Sequence, residues 1–223
     1  MNTCFSKEFF ELLRDLRLNN NGNWYQENKD RVNCARKEME DFANLLIPGV
    51  KAFDTHIGVY DAKQTMYKQH RDIRFSKDKT PLKTFISSVV YYGNDKKVNI
   101  PCYYMHIEEG HCLIAGGIHH PEMQDLKKIR DEIFYNVQEF ETIIHNKTFK
   151  QYFDSINDEE PLKNAPKGYP KDWEHIEYLK NKNFTPTHFC SIEKAQDKDF
   201  INYVLEVYKA LHPFNKFMFR AMN

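Results

Sequence analysis

Residues 68–83, KQHRDIRFSKDKTPLK, gather Lys68, His70, Arg71, Arg74, Lys77, Lys79 and Lys83 into sixteen positions. Arg71 and Arg74 each present a planar fork of N–H donors suited to phosphate or carboxylate, while the lysines act as point charges. Hydrogen bonds to charged groups contribute roughly 1.5–3 kcal/mol each. Two or three converging on one anion therefore hold it firmly. Asp72 can fix the rotamer of a neighbouring arginine or move a proton. The segment is thus a candidate site for a small anionic ligand carrying phosphate or carboxylate. Lys68, Arg71, Arg74, Lys79 and Tyr104 are its candidate ligand-binding residues. Asp72 and His106 are the candidates for catalysis, and the near-neutral pKa of an imidazole suits acid–base work. Whether binding leads on to a reaction stays open at this level.

Two other readings compete. In one, the cluster is a purely structural ion-pair network, with Phe75 as its apolar anchor. In the other it is a non-enzymatic interaction module that docks an acidic protein or a nucleic-acid backbone. On a regular strand Lys68, His70, Asp72 and Arg74 face one way, and Tyr67, Gln69, Arg71, Ile73 and Phe75 face the other. Two arginines three positions apart cannot share that face. Arg74 and Asp72 are therefore expected to face a cleft, with Arg71 bracing nearby backbone or carboxylates.

The histidines are a second group. His106, His111, His119 and His120 lie on or beside one hairpin pattern, with Glu108 among them. Its period-two register sets His106 opposite Leu113 and leaves His119 far along the strand from His111, so these side chains are not expected to converge. No HExxH pair is present either. No metal and no cofactor is assigned. Gly116-Gly117 sits inside a strand pattern without the following Gly-rich turn and helix, so close backbone packing explains it better than a dinucleotide fingerprint.

Composition narrows the setting. Lys plus Arg number 32, as do Asp plus Glu, so the 223-residue chain carries no formal net charge. A general nucleic-acid binder shows a basic excess, and nucleic acid is not an expected partner. Five cysteines, odd in number and without a CxxC pair, fit free thiols in a reducing compartment. No long apolar run signals a membrane span and no leader pattern opens the chain. A cytoplasmic location is expected. Oligomeric state is not legible.

The elements that must position these residues follow from periodicity. Phe9, Phe10, Leu12, Leu13 and Leu16 recur at helical spacing after the capping residue Ser6. NNNGN breaks that helix, and a second is predicted from about Trp24 to Leu46, stopped by Pro48-Gly49, giving a helical hairpin over residues 1–48. Strands are predicted at 56–60, 66–75, 86–92, 102–109 and 111–120. If Glu109-Gly110 form a two-residue turn, Glu108 opposes His111. Tyr103, Met105, Ile107, Cys112, Ile114 and Ile118 then share an apolar face. The opposite face carries Tyr104, His106 and Glu108 with small residues at its middle, where something can approach closely. Residues 121–223 read as helices plus one further strand. The whole reads as one α+β domain with a mostly antiparallel central sheet over 55–120.

Residues 68–83 also carry a family pattern. The chain resembles the domain-of-unknown-function family 2461, a widespread set of bacterial proteins, whose signature is Arg-x-x-Arg-Asp-x-Arg-Phe-x-x-Asp-Lys-x-x-Tyr. It is matched here by Arg71, Asp72, Arg74, Phe75, Asp78 and Lys79. Lys68 stands where the pattern has arginine and Leu82 where it has tyrosine. Lys68 keeps the charge but loses the fork; Leu82 removes a hydroxyl. YYMHIEEGHCLIAGGIHHPEMQDLKKIRDEI is similar to the family's later block, with Glu109-Gly110-His111 in place of a Pro-Gly-Gly turn. KGYPKD and ALHPFNKF are also similar to family segments. The resemblance spans nearly the whole chain and implies no activity.

Overall fold

The computed structural model describes residues 3–94, 100–157 and 159–223. Among the described residues, ten helices surround a four-stranded antiparallel sheet of order β1-β2-β3-β4. The N-terminal helices are α1 (Lys7–Leu18), α2 (Gly22–Glu27), α3 (Lys29–Lys51) and α4 (Ala62–Thr65). The strands β1 (Phe85–Tyr91), β2 (Cys102–Glu108) and β3 (His111–Gly117) follow. Helices α5 (Met123–Tyr135), α6 (Val137–Ile144), α7 (Lys147–Lys150) and α8 (Ile176–Lys180) lead to β4 (Thr187–Cys190). Helices α9 (Ile192–Ala195) and α10 (Phe200–Met222) close the chain. The expected α+β class, with helices at both ends of the sheet, is what forms.

The Ser6 hydroxyl accepts from the Phe9 amide and caps α1. All five of its periodic apolar residues are buried, and α1 packs on α3. Helix α3 runs through Pro48 rather than ending before it. The amphipathic stretch after Pro121 breaks at Asn136 into α5 and α6. Leu126, Ile129 and Ile133 are buried as the periodicity requires, but the stripe continues through Phe140, with Val137 only half-buried.

The β2–β3 register follows the predicted turn: Glu108 pairs with His111 and His106 with Leu113. Tyr103, Met105, Ile107, Cys112 and Ile114 are fully buried and form one core with Phe42 and Leu46 of α3 and Val204, Tyr208 and Leu211 of α10. Burying such a side chain contributes about 1.5–3 kcal/mol, so this face fixes the register: a one-residue slip would expose all of it.

Two of the predicted strands do not form. Ile57 makes only isolated bridges, to Tyr92 and Gly93. Residues 66–75 make one backbone bridge to the edge of β1, Met66 opposite Ser88, and then leave it as a long arm that returns along itself, His70 opposite Leu82. A strand needs an apolar alternation to hold its register, and Lys68-Gln69-His70-Arg71-Asp72 has none.

One buried acid ties three elements together. Asp54, fully buried after α3, accepts from Tyr103 Oη of β2 at 2.6 Å and lies 3.1 Å from His212 Nδ1 of α10. Its other oxygen meets the His56 amide at 3.1 Å and His56 Nδ1 at 3.0 Å. No helix among the described residues is long and apolar enough to cross a membrane.

Candidate functional site

The signature residues of the arm bond mainly to one another. Arg71 Nη1 pairs with Asp78 and donates to the Thr80 carbonyl, while Asp78 also accepts from the Thr80 amide and hydroxyl. Arg74 forks onto Asp72, Nε to Oδ1 at 2.9 Å and Nη2 to Oδ2 at 2.6 Å. Lys79 Nζ donates to the Ile73 carbonyl at 2.9 Å. Lys68 is exposed, as are Arg74, Asp72 and Lys79. Phe75 is 95% exposed and anchors nothing. Arg71 thus braces an acid and the backbone. Arg74 and Asp72 spend their polar atoms on each other, and neither lines the cavity on the sheet.

These contacts close the arm, and other parts of the chain hold it down. The Arg71 amide donates to Pro81 and the Lys83 amide to Gln69. The buried Gln69 side chain donates to the carbonyls of Lys83 and Phe85. Asn20, from the NNNGN break, brackets Leu82 with a bond to its carbonyl at 2.9 Å and one from its amide at 3.1 Å. Arg36 of α3 donates to the Tyr67 carbonyl at 2.8 Å. The result is that Tyr67 and Lys83 stand over the face of the sheet opposite the core.

That face holds a partly enclosed cavity of about 340 Å³. Leu113, Ala115 and Gly117 of β3 contribute its small and apolar surface, and Tyr67, Lys83, Phe85 and Tyr104 contribute rings and a charge. The size and mixed lining fall within the range of small-molecule sites. Gly117 explains the close packing at one end. Its φ is +84°, and a Cβ there would meet the Phe184 carbonyl oxygen well inside contact distance.

Lys83 is the cation at this cavity. Its Nζ lies 5.1 Å from the centre of the Tyr67 ring and 5.7 Å from that of Phe85. Among the described residues no carboxylate pairs with it. Burial, and then the neighbouring Arg36 charge, push its pKa down. Burial likewise raises the Tyr104 hydroxyl.

His106 stacks on Phe85 with ring centres 3.9 Å apart, beside the cavity. Its Nδ1 lies 3.3 Å from Tyr104 Oη and its Nε2 lies 3.2 Å from Glu108 Oε2. Burial lowers its pKa more than Glu108 raises it. Glu108 is held below its usual value: burial opposes this, but the Thr84 hydroxyl and His106 outweigh it. His111, paired directly with Glu108 in the ladder, reaches the same carboxylate, with Nε2 3.8 Å from Glu108 Oε2. Glu108 thus meets two histidines, one two residues back on its own strand and one directly across from it.

Of the sequence-derived residues, then, Tyr104 and His106 come together on the open face, and Lys68, Arg71, Asp72, Arg74 and Lys79 lie on the arm. Lys83, Tyr67 and Phe85 were not singled out for this site. The small residues of the open face pointed to the cavity, but nothing in the sequence said which part of the arm would cover it. No curated protein and no solved structure significantly matches the chain. A family model described as conserved hypothetical protein, DUF2461, matches residues 8–217, and the chain belongs to that family.

Proposed function

We propose that the open face of the sheet binds a small ligand with an apolar or flat body and one anionic group, phosphate or carboxylate. The observation that carries this reading is the Lys83 ammonium, held beside a cavity of about 340 Å³ without a carboxylate partner among the described residues. A cation desolvated in this way gains from an incoming anion, and Tyr67, Phe85 and Tyr104 offer rings for the ligand's body. In this reading Arg71, Asp78 and Lys79 shape the arm that presents Lys83. His106, next to Tyr104, is the group placed for proton transfer should the ligand react.

A thermal-shift screen of phosphorylated metabolites, nucleotides and organic acids tests it, since a ligand that binds only the folded state raises Tm by mass action. Lys83→Met is expected to weaken a hit about 10- to 100-fold, the loss of one charge-assisted hydrogen bond. It should scarcely alter the unliganded Tm, because no ion pair is broken. Unchanged affinity in that variant would remove Lys83 from the site. The exposed Phe75, beside Arg74, favours a second reading in which the arm docks an acidic partner. Arg74→Glu separates the two: it leaves a cavity ligand bound and disrupts docking.

A further inference from the structure

The free end of the β2–β3 hairpin carries a constellation of which the ligand reading uses only His106. His106 Nε2 and Glu108 Oε2 are 3.2 Å apart, Glu108 Oε2 and His111 Nε2 are 3.8 Å apart, and one ligand atom from each residue lies within 4.8 Å of the other two. Zinc bonds to nitrogen and oxygen are about 2.0–2.2 Å long, so ligand atoms around a tetrahedral ion sit about 3.3 Å from one another. Glu108 is already near this spacing from both histidines, and the two imidazole nitrogens, within 4.8 Å of each other, must draw together about a central ion.

The surroundings match those of metal ligands. A bound imidazole usually engages its second nitrogen with an acceptor that fixes tautomer and ring orientation. His106 Nδ1 has Tyr104 Oη at 3.3 Å, and Phe85 stacks on the ring. The second carboxylate oxygen of Glu108 accepts from Thr84 Oγ1 at 2.6 Å, which leaves Oε2 for the two histidines. The His111 ring runs within 13° of parallel to that of His106, with centres 6.0 Å apart, and meets Phe189 edge-on at 5.7 Å.

We propose that His106, Glu108 and His111 form a binding site for a divalent transition metal of the zinc and cobalt kind. Two imidazoles and a carboxylate suit such ions rather than calcium or magnesium, which take oxygen ligands. Three protein ligands leave a coordination position for water or a ligand atom. The assignment is independent of whether the neighbouring cavity binds an anion.

Titration of the chelator-treated full chain with Zn²⁺, followed by calorimetry, and with Co²⁺, followed by its visible absorption, tests the site. One equivalent of each is expected. His111→Ala and Glu108→Gln should each weaken Zn²⁺ at least about 100-fold, and Thr84→Val about 10-fold, the lower end of the usual effect of an outer partner. His111 is exposed, so its replacement leaves the fold intact. His120→Ala, which removes a histidine elsewhere on the surface, should change nothing. Absence of one-equivalent binding would overturn the assignment. So would full affinity in both His111→Ala and Glu108→Gln, or loss of binding in His120→Ala alone.

Discussion

Asp54→Asn is expected to cost about 3–5 kcal/mol of folding stability, the usual effect of removing one partner from a buried charged network. That is a large share of the roughly 5–15 kcal/mol available to a domain, and it should appear as a lower urea midpoint at pH 7. The carboxylate joins the loop after α3 to Tyr103 of β2 and His212 of α10. Amide substitution leaves Tyr103 and the two imidazoles facing a group that accepts less and donates where no acceptor waits. The effect should also depend on pH. Burial alone would raise the pKa of Asp54, but hydrogen bonds from His212, Tyr103 and His56 hold it far below the usual carboxylate range. A depressed folded-state pKa contributes stability that is fully present above the unfolded value, near pH 4, and lost as pH falls below it. The gap between wild type and variant should therefore narrow between pH 4 and the acid limit. A constant gap over that range would show that the charge is not what the network stabilises.

Gly117→Ala should cost about 2–6 kcal/mol, combining a backbone conformation that side chains rarely adopt with overpacking. The new methyl group would run into the Phe184 carbonyl, whose residue pairs with Ile118 through two backbone hydrogen bonds, and so has no freedom to retreat. Gly110, at the tip of the hairpin, supplies the comparison. Its φ is +98° but nothing lies within 4 Å of a Cβ there, so Gly110→Ala should cost only about 1–2 kcal/mol. Equal losses at the two positions in urea denaturation would mean that backbone strain, not the carbonyl contact, sets the requirement at 117.

How much of this was legible in the sequence differs by element. The Glu109-Gly110 turn and the alternation from Cys102 to Gly117 specified register, core face and open face together, because each constrained the other two. The small residues at 115–117 announced close approach, and the structure supplies both the cavity and the Phe184 contact. The β-favouring residues Tyr67, Ile73 and Phe75 point to a strand over 66–75, but the polar run Lys68–Asp72 between them has no apolar alternation to hold one in register. The arm is held instead by bonds from the distant Asn20 and Arg36 and by its own Gln69, which reaches the Lys83 and Phe85 carbonyls, and no local pattern displays these. The family signature drew attention to Arg71, Arg74 and Lys79. Their donors mostly meet the arm's own acids and carbonyls, while Lys83, outside the signature, stands at the cavity. The register already set Glu108 opposite His111 and two residues from His106, but the meeting of all three at one carboxylate oxygen depends on side-chain rotamers, which no pattern displays.

Asn215, buried on α10, accepts from the Gly117 amide at 2.8 Å and donates to the Cys102 carbonyl at 3.0 Å. A helix side chain thus completes the end of the β2–β3 ladder where no further strand residue does. The Gly117 amide proton cannot meet solvent unless α10 lifts from the sheet. Its rate of replacement by deuterium therefore reports how often the closing helix parts from the floor of the cavity, a sub-global opening rather than fraying of the hairpin.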